Sequence, residues 1–363
     1  MAQKNETPVL ILALLITVGL IGAGIWWFTR QSGLNLGNLT QSGSPTPSGS
    51  VSQTGQASPA TSEATSSGQP GASFAAIQNV PSGVFNYGGS TSWAPIRGEV
   101  DSIIQTVFPN FRLRYTDPLT GVPGSSTGIR MLLDNQLAFS QSSRSLRPEE
   151  YQEAQQRGFT LQEIPVALEG IAIAVHPDLN IPGLTIEQLQ GIYLGRITNW
   201  NQVGGPNLAV VPYSRPMNAG GTVEFFVDNI LGGQPFGNSV RLIGTTTEAL
   251  REVSNNPGGL YYASAPEVIG QCTTKPLAIG RSIDQLVAPY QQPLVPEAQC
   301  PAQRNQINPE VLQSGEYPIT RRLFVIVKQN GQADQQAGEA YANLLLTDQG
   351  QQLLSEAGFV RIR

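Results

Sequence analysis

One histidine and two cysteines are all that 363 residues offer as imidazole bases or soft metal ligands. His176, Cys272 and Cys300 have no metal-ligand spacing, and no carboxylate cluster announces a metal or a glycosidase pair. Charge is scarce too. Only 13% of residues are charged, the net charge is −5, and the absence of a basic run argues against a nucleic-acid surface. Any affinity for anions must then come from local donors rather than a broad positive field. Gly124-Ser125-Ser126-Thr127-Gly128 does match the nucleophile-elbow pattern of serine hydrolases. That chemistry needs a base, and His176, between a strand and Pro177, reads as a strand-end residue. The chain reads as a non-enzyme without cofactor or metal.

The ends of the chain differ in composition. Pro8 to Phe28 carries no charge and is long enough to cross a bilayer as one helix, with Trp26, Trp27 and Phe28 at the interface. No Ala-x-Ala-like site follows, so residues 1–30 read as an uncleaved membrane anchor, a signal segment being the alternative. Lys4 and Arg30 flank the span almost evenly, so charge does not set its orientation. Residues 31–73 are Ser, Gly, Thr, Gln and Pro with one charge, Glu63, and no aromatic. Such a segment buries too little apolar surface to order itself and reads as a tether with a reach of roughly 35 Å.

From Phe74 onward the chain can bury a sizeable core. Cys272 and Cys300, if paired, would close a loop worth about 3 kcal/mol and fit an oxidising compartment outside the inner membrane; two buried free thiols are the alternative. Strand-like and helix-like patterns alternate. Strands are expected at 84–87, 111–116, 137–140, 161–168, 171–175, 208–213, 259–262 and 323–327. Helices are expected at 96–108, 128–135, 147–156, 186–194, 223–231, 337–346 and 349–357. Thr185-Ile186-Glu187-Gln188 has capping-box spacing. Strands separated by helices indicate a parallel-sheet α/β architecture.

Three loops rich in Gly, Ser and Thr stand out. They are Gly88-Gly89-Ser90-Thr91-Ser92, Gly124-Ser125-Ser126-Thr127-Gly128 and Arg215-Pro216-Met217-Asn218-Ala219-Gly220-Gly221-Thr222. Each precedes a helix-like pattern, where exposed N–H groups and the helix dipole favour an anion. Arg144 and Arg215 add guanidinium forks that suit phosphate oxygens, although either could pair with a carboxylate instead.

These residues carry a resemblance. The chain looks like the phosphate-binding protein of bacterial phosphate ABC transporters, in class II of the periplasmic solute-binding superfamily, over roughly Val84 to Arg363. Gly89-Ser90-Thr91-Ser92 with Pro95 resembles the first anion loop of that family, and Gly124–Gly128 the second. Ile164–Val175 resembles one interlobe crossover and Tyr317–Phe324 the other. Leu189-Gln190-Gly191-Ile192-Tyr193-Leu194-Gly195-Arg196-Ile197-Thr198-Asn199-Trp200 is the most specific stretch.

The resemblance implies a two-lobed α/β fold, each lobe a mixed sheet flanked by helices, joined by two crossover strands. Residues 74–168 and 317–363 would form lobe 1 and 169–316 lobe 2. Together with the anchor and tether read above, it implies a monomer in the periplasm, tethered to the inner membrane, that captures inorganic phosphate for an ABC permease. A tethered anion sensor or scaffold is the alternative. Carried over, the phosphate ligands would be Thr91, Ser92, Ser125, Ser126, Ser143, Arg144, Arg215, Gly220, Gly221 and Thr222. Two departures stand out: Ser143 replaces an acceptor Asp, and one extra residue follows Arg215.

Overall fold

The computed structural model describes residues 72–217 and 219–362. The anchor and tether expected over residues 1–73 fall almost wholly outside them. Among the described residues no helix is long and apolar enough to cross a membrane.

Strand β1 (Gly83–Gly89) pairs in parallel with β2 (Phe111–Tyr115) on one side and β3 (Phe139–Ser142) on the other. The long strand β4 (Thr160–Val175) follows, then the short strand β5 (Leu184–Thr185) and β6 (Val211–Ser214). After β7 (Arg241–Leu242) and β8 (Gly259–Ser264) come β9 (Lys275–Leu277), β10 (Ile279–Gly280) and β11 (Leu286–Val287), and β12 (Thr320–Gln329) closes the series. The main sheet runs β2-β1-β3-β12-β4-β8-β6-β7, with β9 also on β4.

The sheet is therefore mixed, as the resemblance implied, and not the parallel sheet that the alternation of elements suggested. β6 pairs in parallel with β7 and β8, but β12 lies antiparallel to both β3 and β4. The reason is topological: the chain leaves the first half along β4 and must come back along β12. Separate strands were expected at 161–168 and 171–175, yet they form one element. The first part of β4 pairs with β12, and from Ile171 onward it pairs with β8 and β9. A register shift between Leu323 and Phe324 absorbs Val166 beside Pro165, where proline removes a ladder donor.

Two cores straddle these crossings. One gathers Phe85, Trp93, Ile104, Phe139, Val166, Leu323, Val325 and Tyr341. The other gathers Ile171, Ile173, Tyr193, Trp200, Phe226, Tyr262 and Ile319. From Glu169 to Val175 β4 is buried on both faces, with Ile171, Ile173 and Val175 in this second core and Ala172 and Ala174 in a further cluster with Tyr213 and Tyr261. The capping box at Thr185 forms as expected, with Thr185 Oγ1 accepting from Gln188 N–H at 3.1 Å and opening Ile186–Tyr193. Thr246–Asn255, a helix the periodicity reading passed over, packs on β8 with Ala249, Leu250 and Val253 inward. Cys272 and Cys300 are joined, so among the described residues no cysteine is free.

Candidate functional site

The three Gly/Ser/Thr loops meet where the two halves face each other. Ser125–Leu133 and Gly221–Asn229 are helices whose first residues come from different halves, and neither has a side-chain cap. Uncapped N-termini leave first-turn N–H groups for other acceptors. Gly220 has φ +115°, a backbone conformation L residues rarely adopt, and it brings Gly221 against the opposite loops.

That approach is tight. A Cβ on Gly221 would lie 2.3 Å from Ser143 Oγ, 2.7 Å from Ser125 Oγ and 3.3 Å from Ser90 Oγ. The three serines are themselves bonded: Ser90 Oγ to Ser143 Oγ at 2.9 Å, Ser125 Oγ to Ser143 Oγ at 3.2 Å, and Ser143 N–H to Ser125 Oγ at 3.1 Å. All three are wholly buried. Here the halves touch directly.

Ser126 and Arg144 form a second cluster. Arg144 forks onto Glu150 (Nη1–Oε2 3.0 Å, Nη2–Oε1 2.7 Å) and reaches Glu224 from across the cleft through Nε at 3.4 Å. Ser126 Oγ accepts from Arg144 Nη2 at 2.8 Å and donates to Glu224 Oε2 at 2.7 Å. The carboxylate alternative for this arginine is the one realised. Three residues beyond Arg144 and four beyond Glu224, Arg147 bonds Asp228 at 2.8 Å, a second ion pair across the same gap.

A third cluster lies at the crossing strands. Arg321, on β12, bonds Glu169 of β4 through Nε at 2.6 Å, Gly221 C=O through Nη1 at 3.0 Å, and Ser92 Oγ and Thr222 Oγ1 through Nη2 at 2.8 and 3.0 Å. Ser264 Oγ donates to the other Glu169 oxygen. Sequence reading missed Arg321, Glu169 and Glu224. For Arg321 and Glu169 the usable signal was a charged residue inside each apolar crossover strand, where burial demands a partner; Glu224, in the helix Gly221–Asn229, carried no such signal.

Thr91, Ser92, Arg215 and Thr222 are the expected residues that line a cavity of about 230 Å³ between the halves. Its far wall is formed by Thr246, Tyr261, Tyr262, Ser264 and Glu267. Among the described residues the buried side-chain polar atoms without a hydrogen-bond partner are Arg215 Nε and Thr274 Oγ1, and only Arg215 faces this cavity. A buried guanidinium N–H without an acceptor is costly, so this cavity wants an anion. Glu267 keeps solvent access at the rim, yet the surrounding protein raises its carboxyl above the ordinary range, with the nearby Glu169 charge adding to the effect.

The Gly-x-Ser-x-Gly serine has no imidazole beside it: Ser126 Oγ is held by Arg144 and Glu224, while His176 Nδ1 accepts from Asp178 N–H at the end of β4.

Residues 33–349 match the sequence profile of the PBP superfamily domain. Among curated proteins, the phosphate-binding protein PstS of Borreliella burgdorferi is 24% identical over 282 residues, 77% of this chain and 90% of the relative. PstS of Staphylococcus epidermidis is 23% identical over 245 residues, 66% of this chain and 69% of the relative. Among solved structures, an ABC-type phosphate transport receptor from Vibrio cholerae superposes with a TM-score of 0.60 at 20% identity, covering 76% of this chain and 99% of that one. PstS from Borrelia burgdorferi superposes at 0.52 with 21% identity, covering 77% and 99%.

Proposed function

The chain belongs to the PBP superfamily, and from that premise we propose that it captures inorganic phosphate between its halves and delivers it to the permease of an ABC transporter. The observation that carries this reading is the partnerless Arg215 Nε in an interlobe cavity that also holds Thr91, Ser92 and Thr222. Phosphate near neutral pH bears one to two charges, and a dry cleft must replace its hydration with donors and an opposite charge. The names of the relatives point the same way. Arg144 belongs to the scaffold in this reading, because carboxylates already satisfy its fork.

In this proposal residues 74–168 and 317–363 make lobe 1 and 169–316 lobe 2. Residues 31–73 are a tether, and residues 1–30 hold a monomer on the outer face of the inner membrane. The even cysteine pairing fits that oxidising side. Calorimetry of the full chain against phosphate, sulfate, arsenate and molybdate tests the ligand. Saturable phosphate binding is expected, and heat with sulfate alone would sink phosphate as the cargo. Mass spectrometry of the native protein is expected to find its start near Met1. A mature N-terminus between Gly22 and Ser73 would leave a freely diffusing protein.

A further inference from the structure

The cavity is too roomy and too varied in its lining for a bare ion. Gly221 is packed on Ser90, Ser125 and Ser143, whereas Thr222 and Arg215 line the cavity itself. A cavity of about 150 Å³ is enough for a benzene-sized molecule, whereas this one measures about 230 Å³. An oxyanion of five heavy atoms on Arg215 would fill only part of it. The remaining wall is not built for a hydrated ion. Tyr261 and Tyr262 give it aromatic surface, Thr246 a hydroxyl, and Glu267 a carboxylate that would repel a second anion. Thr246 Oγ1 and Tyr261 Oη lie 3.3 Å apart, side by side on this wall.

We propose that the cleft accepts small phosphomonoesters whose alcohol bears a hydroxyl or ammonium group, with the phosphate on Arg215 and the organic arm among Tyr261, Thr246 and Glu267. The proposal rests on the phosphate reading for the head group and adds a class of ligand to it. Burying the arm against the tyrosines recovers apolar contact, while Thr246 and Glu267 meet its polar end. Thr246 is half-buried beside Tyr261 and Glu267 is exposed, so both can reach the polar end of a bound ligand. Glu267 makes the preferred arm cationic.

Calorimetry of the full chain with inorganic phosphate, phosphoethanolamine and glycerol 3-phosphate tests it. Phosphoethanolamine is expected to bind at least about tenfold more tightly than inorganic phosphate, with glycerol 3-phosphate between them. Glu267→Gln is expected to erase the advantage of phosphoethanolamine without weakening inorganic phosphate, and Thr246→Val to weaken both esters more than inorganic phosphate. Esters that bind no better than phosphate would overturn the inference and leave the phosphate reading intact. Parallel loss of phosphate and esters in Glu267→Gln or Thr246→Val would also overturn it. Binding of none of the three ligands would remove the phosphate reading itself.

Discussion

Glu169 and Arg321 stand opposite one another, in register, on the two strands that cross between the halves of the molecule. Arg321 Nε lies 2.6 Å from Glu169 Oε2, and the two residues are 4% and 1% exposed. Burial of that degree is tolerable only because every charge has a partner: Ser264 on the carboxylate, and Ser92, Thr222 and Gly221 C=O on the guanidinium. One arginine on β12 thus ties together Ser92, Glu169, Gly221 and Thr222.

Removing one member of this pair strands the other. Arg321→Ala is expected to destabilise the protein by about 3–5 kcal/mol. Combining it with Glu169→Gln should recover part of that loss, because the unpaired charge disappears. Urea unfolding of the parent and the two variants measures it; equal stability of Arg321→Ala and the parent would mean that the pair contributes nothing.

Arg215 has the opposite profile. Its Nε makes no internal hydrogen bond, so Arg215→Ala should change the unfolding midpoint little. Phosphate affinity should fall by several kcal/mol, on the scale of a broken buried charge pair. Retained affinity with a lowered midpoint would make Arg215 a structural residue.

Gly221→Ala tests the direct contact between the lobes. Its added methyl would meet Ser143 Oγ at 2.3 Å and Ser125 Oγ at 2.7 Å, although alanine is the better helix former. The variant should fold normally yet bind phosphate at least about tenfold more weakly, because closure is opposed. Adding Ser143→Gly should restore binding. Unchanged affinity in the single variant would show that the serines yield easily. By the same geometry Ser143→Asp, which brings back the acceptor of related proteins, should hinder closure rather than sharpen selectivity.

Asp101 should make stability depend on pH. Burial raises its carboxyl from 3.8 to about 6, against the opposing hydrogen bonds from Tyr87 and Tyr341. Between those values the folded protein holds a proton that the unfolded chain has released. The stabilisation from this group is therefore full below about pH 4 and lost as pH rises through 6, a change on the order of 2–3 kcal/mol. Thermal unfolding of Asp101→Asn across that window should flatten the profile relative to the parent. Parallel profiles would exclude Asp101 as the cause.

The Cys272–Cys300 bond closes a 28-residue separation across a proline-rich stretch. Thiol titration of unreduced, denatured protein should find no free cysteine. Reduction should lower stability by about 3 kcal/mol through the regained freedom of the unfolded chain. Two titratable thiols would refute the bond in the native protein.

The sequence alone determined whatever rests on neighbours along the chain. Helix starts such as Thr185, the alternation of strands and helices, the three loops and the presence of Arg215 beside Gly220-Gly221-Thr222 are all local. Propensity, capping and glycine conformation act over a few residues, so they can be read before folding. Partners could not be read that way. Ser126 meets Glu224 98 residues away, and Arg321 meets Glu169 152 residues away. Which carboxylate faces which arginine depends on the antiparallel register of β4 and β12 and on the approach of the Gly221–Asn229 helix. Tertiary structure therefore decided that Arg144 is held by its own carboxylates, that Arg321 spans the crossing, and that Arg215 alone of the three keeps a buried donor without a partner. Residues of one chemical type took separate roles because burial and register, not sequence spacing, set the charge opposite each one.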